Sequence, residues 1–364
     1  MPASQAGRRR FKSGRPLFLT LDSGLLCASQ SVQLAGKKPR GRITPTVLFV
    51  QLAVVRSTLV PGPVIPTASL AKRQNKQVVL TTTRSSLHRI AFRDRHSHMP
   101  IHSTAIIDPQ AEVDPSVDVG PYVVIDGTVR IGQGTRILAH AVLTGWTDIG
   151  EDNEIHMGAV IGHTPQDFTY KGEQSFLKIG HRNIIREQSQ IHRGAKAGSA
   201  TIIGDDNYLM QHAHIAHNCT IGNHTIVAGG ALLAGYVHVE DRAFISGNCV
   251  VHQFVRIGTL ALLRGLSRTS RDVPPFCIMD GTHTVRGLNA IGLRRAGFSR
   301  ERISTLKQAF STLFRTRGNI RNKVEQLQAA SPSEDVGYLL DFIHNSERGV
   351  CFGPKTASNG KEEG

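Results

Sequence analysis

Every sixth residue from Ile101 to Leu263 falls in one frame, and 25 of its 28 positions are Ile, Leu or Val. The frame runs from Ile101, Ile107, Val113, Val119 and Ile125 to Ile161, then resumes in phase at Ile179 and holds to Ile257 and Leu263. A six-residue period is too short for a helical hairpin. It predicts a parallel β-helix, in which each hexad supplies one short strand and one turn. Four residues after each aliphatic stands a small or β-branched residue, as at Ala105, Thr135, Ala141, Ala213, Cys219, Thr225, Ala231 and Cys249. One large and one small inward side chain per hexad suits a narrow, densely packed interior. The frame fails only at Asp167, Glu173 and Ala197, within the polar stretches 166–177 and 194–200. Because the phase survives both, they are expected to be loops ejected from the coil, and such insertions tend to collect on a binding face.

The formal charge of +15 is misleading until it is located. Residues 1–98 hold 17 Lys and Arg against 2 acids, leaving 43 − 17 = 26 basic and 28 − 2 = 26 acidic residues beyond them. The repeat domain is neutral, so the basic balance says nothing about nucleic acid as its partner. The leader has no hexad frame and reads as disordered. It is expected to be either an over-long reading frame ahead of Met99 or, less in keeping, an organellar targeting segment. Its apolar run 43–55 is interrupted by Pro45 and too short for a membrane span. Five widely spaced cysteines, two of them at the small inward position, fit a reducing cytoplasmic setting rather than a disulfide framework.

Beyond Leu263 the period stops. Arg271-Asp-Val-Pro-Pro-Phe276 reads as a connector. Ile303, Leu306, Phe310, Leu313 and Phe314 then follow helical spacing behind Ser299, and Val336, Leu339, Leu340 and Ile343 do so behind Ser333. The expected order is a leader at 1–98, a β-helix at 99–276, a helical domain at 277–350 covering the last coil edge, and a disordered tail at 351–364.

Three hexads make one triangular coil, so residues 18 apart stack about 4.8 Å from one another. His217 then lies beneath Gly235, and Gly235 beneath Gln253. Seven histidines (His192, His212, His214, His217, His224, His238 and His252) fall within 61 residues, and all avoid the inward positions. Such a cluster suits general base catalysis, in which neutral imidazole takes a proton near pH 7. It equally suits zinc binding, with His212 and His217 five apart, or a purely structural solenoid with polar outer corners.

The words around the histidines separate these readings. Gln166-Asp167, Ile191-His-Arg-Gly194, Ala213-His-Ile-Ala-His217 within 207–223, Leu233-Ala-Gly235, Val251-His-Gln-Phe254, Asp272-Val-Pro-Pro-Phe276 and 287–301 appear in order. Together, over about 100–350, they closely resemble the acyl-ACP–UDP-N-acetylglucosamine O-acyltransferase family of lipid A synthesis. The resemblance implies a left-handed β-helix, a cytoplasmic homotrimer with active sites between subunits, and no metal or dissociable cofactor. It implies transfer of a 3-hydroxyacyl chain from acyl carrier protein to the glucosamine 3-hydroxyl of UDP-N-acetylglucosamine. His217 matches the family's base, and the N–H of Gly235 its oxyanion donor. Asp167, His192, His214, His252, Gln253, Asn289 and Arg295 match residues lining the substrate cleft, and Gly265 matches a glycine at the end of the acyl tunnel. Arg294, Arg295, Arg300 and Arg302 would face acidic acyl carrier protein. Tyr236, Asn218, Thr169 and Ile291 depart from the family's usual His, Asp and charged residues. The rivals are the sister N-acyltransferase, whose folded uridine-binding domain the leader does not resemble, a zinc-dependent β-helix hydratase, and a non-catalytic scaffold.

Overall fold

The hexads wind into three sheets of nine, eight and ten strands, parallel throughout except for the terminal pair of the ten-stranded sheet, and most of the strands are only two residues long. This computed structural model describes residues 101–354; the expected leader, Cys27 and the end of the tail lie outside the described residues. Ile215 pairs with Leu233, Leu233 with Val251 and Val251 with Thr269, each 18 residues on. The frame therefore runs one strand past Leu263, with the polar Thr269 in the inward place. The winding is left-handed. Right-handed crossovers normally dominate because twisted strands feed them. Two-residue strands carry too little twist to impose that rule. Corner residues take left-handed φ angles of 60°, 62° and 65° at Asn218, Tyr236 and Phe254.

Two register jumps locate the ejected loops. Ile161 pairs with Ile191, 30 − 18 = 12 residues in excess of one coil. Leu177 pairs with Thr201, 24 − 18 = 6 in excess. Phe176 and Leu177 are already strand, so the first loop is slightly shorter than expected. Both insertions leave the same corner, after Val160–His163 and after Gln190–His192, in consecutive coils.

The large inward positions form one continuous apolar column that includes Ile161, Ile191, Ile215, Leu233 and Val251. The small inward positions are not all apolar. At one corner Thr135, Asn153, Asn183, Asn207 and Thr225 are fully buried in succession. The Asn183 backbone N–H donates to Asn153 Oδ1 at 2.9 Å, Asn207 N–H to Asn183 Oδ1 at 2.9 Å, and Thr225 N–H to Asn207 Oδ1 at 2.8 Å. Each amide thus satisfies a corner N–H that the two-residue strands leave without a ladder partner.

Cys277–Met279 and Val285–Leu288 are strands that extend the ten-stranded sheet, so the helices begin only at Ala290. They are α1 (Ala290–Arg295), α2 (Arg300–Arg315), α3 (Ile320–Ala329) and α4 (Glu334–His344). The stripes on α2 and α4 face the core, and Ser299 caps α2 by accepting from Arg302 N–H at 3.2 Å; α3 was not evident in the sequence. The last coil is closed by that strand pair together with Val350 and Phe352, which bridge to Asp272 and Thr284. The start of the tail is ordered, contrary to expectation: Cys351 is fully buried beside Thr269 because the bridges of Val350 and Phe352 draw it onto the last coil. All four described cysteines are free and buried. No helix among the described residues is long and apolar enough to cross a membrane.

Candidate active site

The corner that ejects both loops also carries His217 and, one coil on, Gly235. Tyr236 N–H donates to His217 O at 3.0 Å and Phe254 N–H to Gly235 O at 3.1 Å, which fixes the stack His217, Gly235, Gln253. The imidazole lies across Gly235. A Cβ on that residue would sit 2.6 Å from Cε1 and 2.7 Å from Nε2 of His217. Only glycine lets the ring lie flat there, and φ is not the reason, since Gly235 is not among the left-handed residues. The Gly235 N–H donates to no acceptor among the described residues.

Each ejected loop delivers one group to that ring. The first brings Asp167, whose Oδ2 lies 3.8 Å from His217 Nε2. Asp167 Oδ1 accepts from Thr169 N–H and Oγ1–H at 2.9 and 2.8 Å, and these bonds hold its carboxyl below the ordinary range. The second loop brings the Ala195 N–H, which donates to Asn218 Oδ1 at 2.9 Å. That donor settles which end of the Asn218 amide is oxygen. The same oxygen lies 3.0 Å from His217 Nδ1, and an amide oxygen only accepts. His217 therefore carries a proton on Nδ1, so that in the neutral ring the lone pair is at Nε2.

Two further histidines, His192 and His214, border this one, and His163 lies beyond His192. His192 is 5% exposed, and its Nδ1 lies 2.7 Å from Thr164 O, so that nitrogen is the donor. Its Nε2 is buried without a partner. His192 packs on His214 at 5.2 Å and edge-on against His163 at 6.5 Å. Burial, then the neighbouring His192 and His217, pushes His214 down to about 4; burial also lowers His192. Both are neutral near pH 7. The outward histidines thus point away from the coil as expected, yet His192 and His217 are covered, the latter 8% exposed.

Arg193 anchors the first loop and was not singled out by sequence, although it stands inside Ile191-His-Arg-Gly194. Its Nη1 donates to Gly162 O at 2.8 Å and its Nη2 to Tyr170 Oη at 2.9 Å. The guanidinium is held between the Trp146 and Tyr170 rings, 5.5 and 5.6 Å from their centroids. No pattern in the repeat marks it; its nearness to an insertion is the only signal.

The remaining expected residues stand apart within one chain. His252 and Gln253 are exposed one coil above Gly235, with Arg348 Nη2 3.4 Å from His252 Nδ1. Asn289 is buried, and its amide is committed to backbone, donating to Leu260 O at 2.9 Å and accepting from Gly292 N–H at 3.0 Å to cap α1. Arg295 is exposed in the last turn of α1. Of the other arginines expected to face a partner, Arg302 is paired with Asp335 at 2.7 Å. Gly265 is exposed with room for a Cβ, whose nearest neighbour would be Gly247 O at 3.6 Å. Nothing among the described residues requires glycine there. Among the described residues no three His, Cys, Asp or Glu side chains converge so as to hold a metal ion.

The site can be compared with known proteins. Residues 272–351 match the family described as UDP N-acetylglucosamine O-acyltransferase, domain 2, and 200–235 match bacterial transferase hexapeptide repeats. The acyl-[acyl-carrier-protein]–UDP-N-acetylglucosamine O-acyltransferase of Thermodesulfovibrio yellowstonii is 46% identical over 254 residues, 69% of this chain and 98% of that protein. The UDP-N-acetylglucosamine acyltransferase structure from Bacteroides fragilis superposes with a TM-score of 0.66 at 40% identity, covering 69% of this chain and 99% of that one. The Francisella novicida structure gives 0.67 at 34% identity, covering 70% and 95%.

Proposed function

The chain belongs to the acyl-ACP–UDP-N-acetylglucosamine O-acyltransferase family, and from that membership we propose how its own residues carry out the transfer. Its activity is O-acylation of UDP-N-acetylglucosamine from acyl carrier protein, the first step of lipid A synthesis. In the proposed mechanism the acceptor is the glucosamine 3-hydroxyl and the donor a 3-hydroxyacyl thioester. His217 Nε2 takes the hydroxyl proton as the oxygen attacks the thioester carbonyl. The tetrahedral oxyanion receives the Gly235 N–H. Collapse breaks the C–S bond, and the proton on Nε2 passes to the departing thiolate. Asn218 Oδ1 keeps the ring's other proton in place throughout, and Asp167 faces the positive charge that develops on Nε2.

One observation carries this reading. The ring's protonation is set by Asn218, itself oriented by Ala195, so that the basic nitrogen is the one beside Gly235 and Asp167. The reading calls for no metal and no dissociable cofactor, and it places the enzyme in the cytoplasm. His192, His214, His252, Gln253, Asn289 and Arg295 would line the nucleotide-sugar cleft, with Gly265 at the end of the acyl channel. A homotrimer would complete that cleft. In favour of a subunit face, Leu232 and Val250 pair in consecutive coils beside His214 and are exposed, and Phe168 is fully exposed on the first loop.

The test incubates the full chain with UDP-N-acetylglucosamine and carrier proteins bearing 3-hydroxyacyl chains of several lengths. An ester product that disappears in His217→Ala supports the mechanism; undiminished turnover in His217→Ala refutes it. Stoichiometric, histidine-bound zinc in the active enzyme would instead favour the hydratase reading. Sedimentation decides the trimer.

A further inference from the structure

Two aromatic residues stand beside the proposed base without being part of it. Tyr236 and Phe254 occupy the left-handed corner position in consecutive coils, with φ angles of 62° and 65°. Bulky residues there are costly, and Asn, Asp or Gly would relieve the strain. The rings stack with centroids 4.8 Å apart at 18°. Tyr236 also meets His217 at right angles, 5.3 Å between centroids. Phe254 is half-exposed, so burial of its own surface does not explain its presence.

Stacked corners alone do not imply a role. Tyr122 and His140 stack in the same way, 5.1 Å apart at 7°, in another corner column. What distinguishes Tyr236 is its second contact. The other constraints on the His217 ring act at its two nitrogens and, through Gly235, on one face. Among the described residues Tyr236 is the one aromatic ring packed against the imidazole.

We propose that Phe254 and Tyr236 form a two-ring brace, Phe254 holding Tyr236 and Tyr236 holding the imidazole in its reactive orientation. Both are positioning residues for the transfer. The proposal rests on His217 being the base. It requires the ring of Tyr236 and not its hydroxyl, and it makes Phe254 act only through Tyr236.

The experiment measures kcat and KM for UDP-N-acetylglucosamine in Tyr236→Phe, Tyr236→Asn, Phe254→Asn, the double Asn variant and Tyr122→Asn. Asn tolerates the left-handed corner, so these variants remove rings without adding backbone strain. Tyr236→Phe is expected to keep kcat, and Tyr236→Asn to lower it by about 10- to 100-fold with KM little changed. Phe254→Asn should lower kcat by about 2- to 12-fold, the range of one aromatic pair. The double variant should be no slower than Tyr236→Asn, and Tyr122→Asn should match wild type. A Tyr236→Phe defect equal to that of Tyr236→Asn, an effect on KM alone, or additive losses in the double variant would each overturn the brace. The last two would assign the rings to direct substrate contact. Failure of the underlying mechanism would show separately, as full activity in His217→Ala.

Discussion

Adding one methyl group to Gly235 tests the site geometry most directly. In Gly235→Ala the new Cβ would lie 2.6 Å from Cε1, 2.7 Å from Nε2 and 3.2 Å from Nδ1 of His217. Carbon contacts settle at about 3.5–4.0 Å, so the imidazole must retreat by about 1 Å. That movement strains or breaks the hydrogen bond between Nδ1 and Asn218 Oδ1, now 3.0 Å long, and carries Nε2 away from the hydroxyl it must deprotonate beside Gly235. A displacement of this size costs about 100-fold in rate. Stability should move the other way. The backbone of Gly235 is not left-handed, and restricting an unfolded glycine stabilises by about 0.4–1 kcal/mol where the conformation allows it. The expected outcome is therefore a large loss of kcat with an unchanged or slightly raised Tm, measured by ester formation and thermal unfolding. Wild-type kcat would refute the stacked geometry. A loss of activity accompanied by a Tm lower by several degrees would show that Gly235 serves the coil and not the ring.

Three other outcomes follow from the same structure. Asn218→Asp places a carboxylate 3.0 Å from His217 Nδ1, still anchored by the Ala195 N–H, and should move the acid limb of the pH–rate profile upward by about 1 pH unit or more; an unmoved limb would show that the pair does not titrate during turnover. Asn183→Leu removes the middle of the buried amide ladder and leaves the Asn207 N–H without an acceptor, costing about 1–3 kcal/mol in denaturant unfolding, whereas a neutral result would mean the ladder contributes nothing. The folded pKa of His214 lies below its unfolded value of about 6.5, so the unfolded chain binds a proton that the native chain refuses as pH falls from about 6.5 to about 4. Stability should drop by roughly 1–3 kcal/mol across that window and level off below it, and His214→Gln should flatten the drop; equal slopes in both proteins would contradict the burial of a neutral imidazole.

The hexad frame was sufficient for the winding, the inward column and the existence of both loops, because a strict period with one buried face leaves the chain a single register. The 18-residue coil followed from it, and with it the stacking of His217 under Gly235. The small inward positions were less legible. An asparagine there looks like a defect until the corner N–H groups it satisfies are seen, since they belong to other coils. The strand pair 277–288 and helix α3 were hidden as well, because neither carries a long periodic stripe. Among the site residues, Asp167, His192, His214, His217 and Gly235 stood out by frame or motif. The acceptor role of Asn218 was also legible beside the base, whereas the contacts of Arg193 with the first loop and of Tyr236 with Phe254 were not.

Those contacts join residues far apart in sequence, which no local pattern encodes. Only the folded chain brings the Ala195 N–H onto Asn218 and so decides which nitrogen of His217 is basic. Only folding buries His192 and His217, turning outward histidines into a covered cluster in which burial lowers His192 and His214. Sequence by itself determined the ladder on which the groups are mounted. Which of them face one another, and in which protonation state, is a matter of desolvation and hydrogen-bond direction, and these exist only in the tertiary structure.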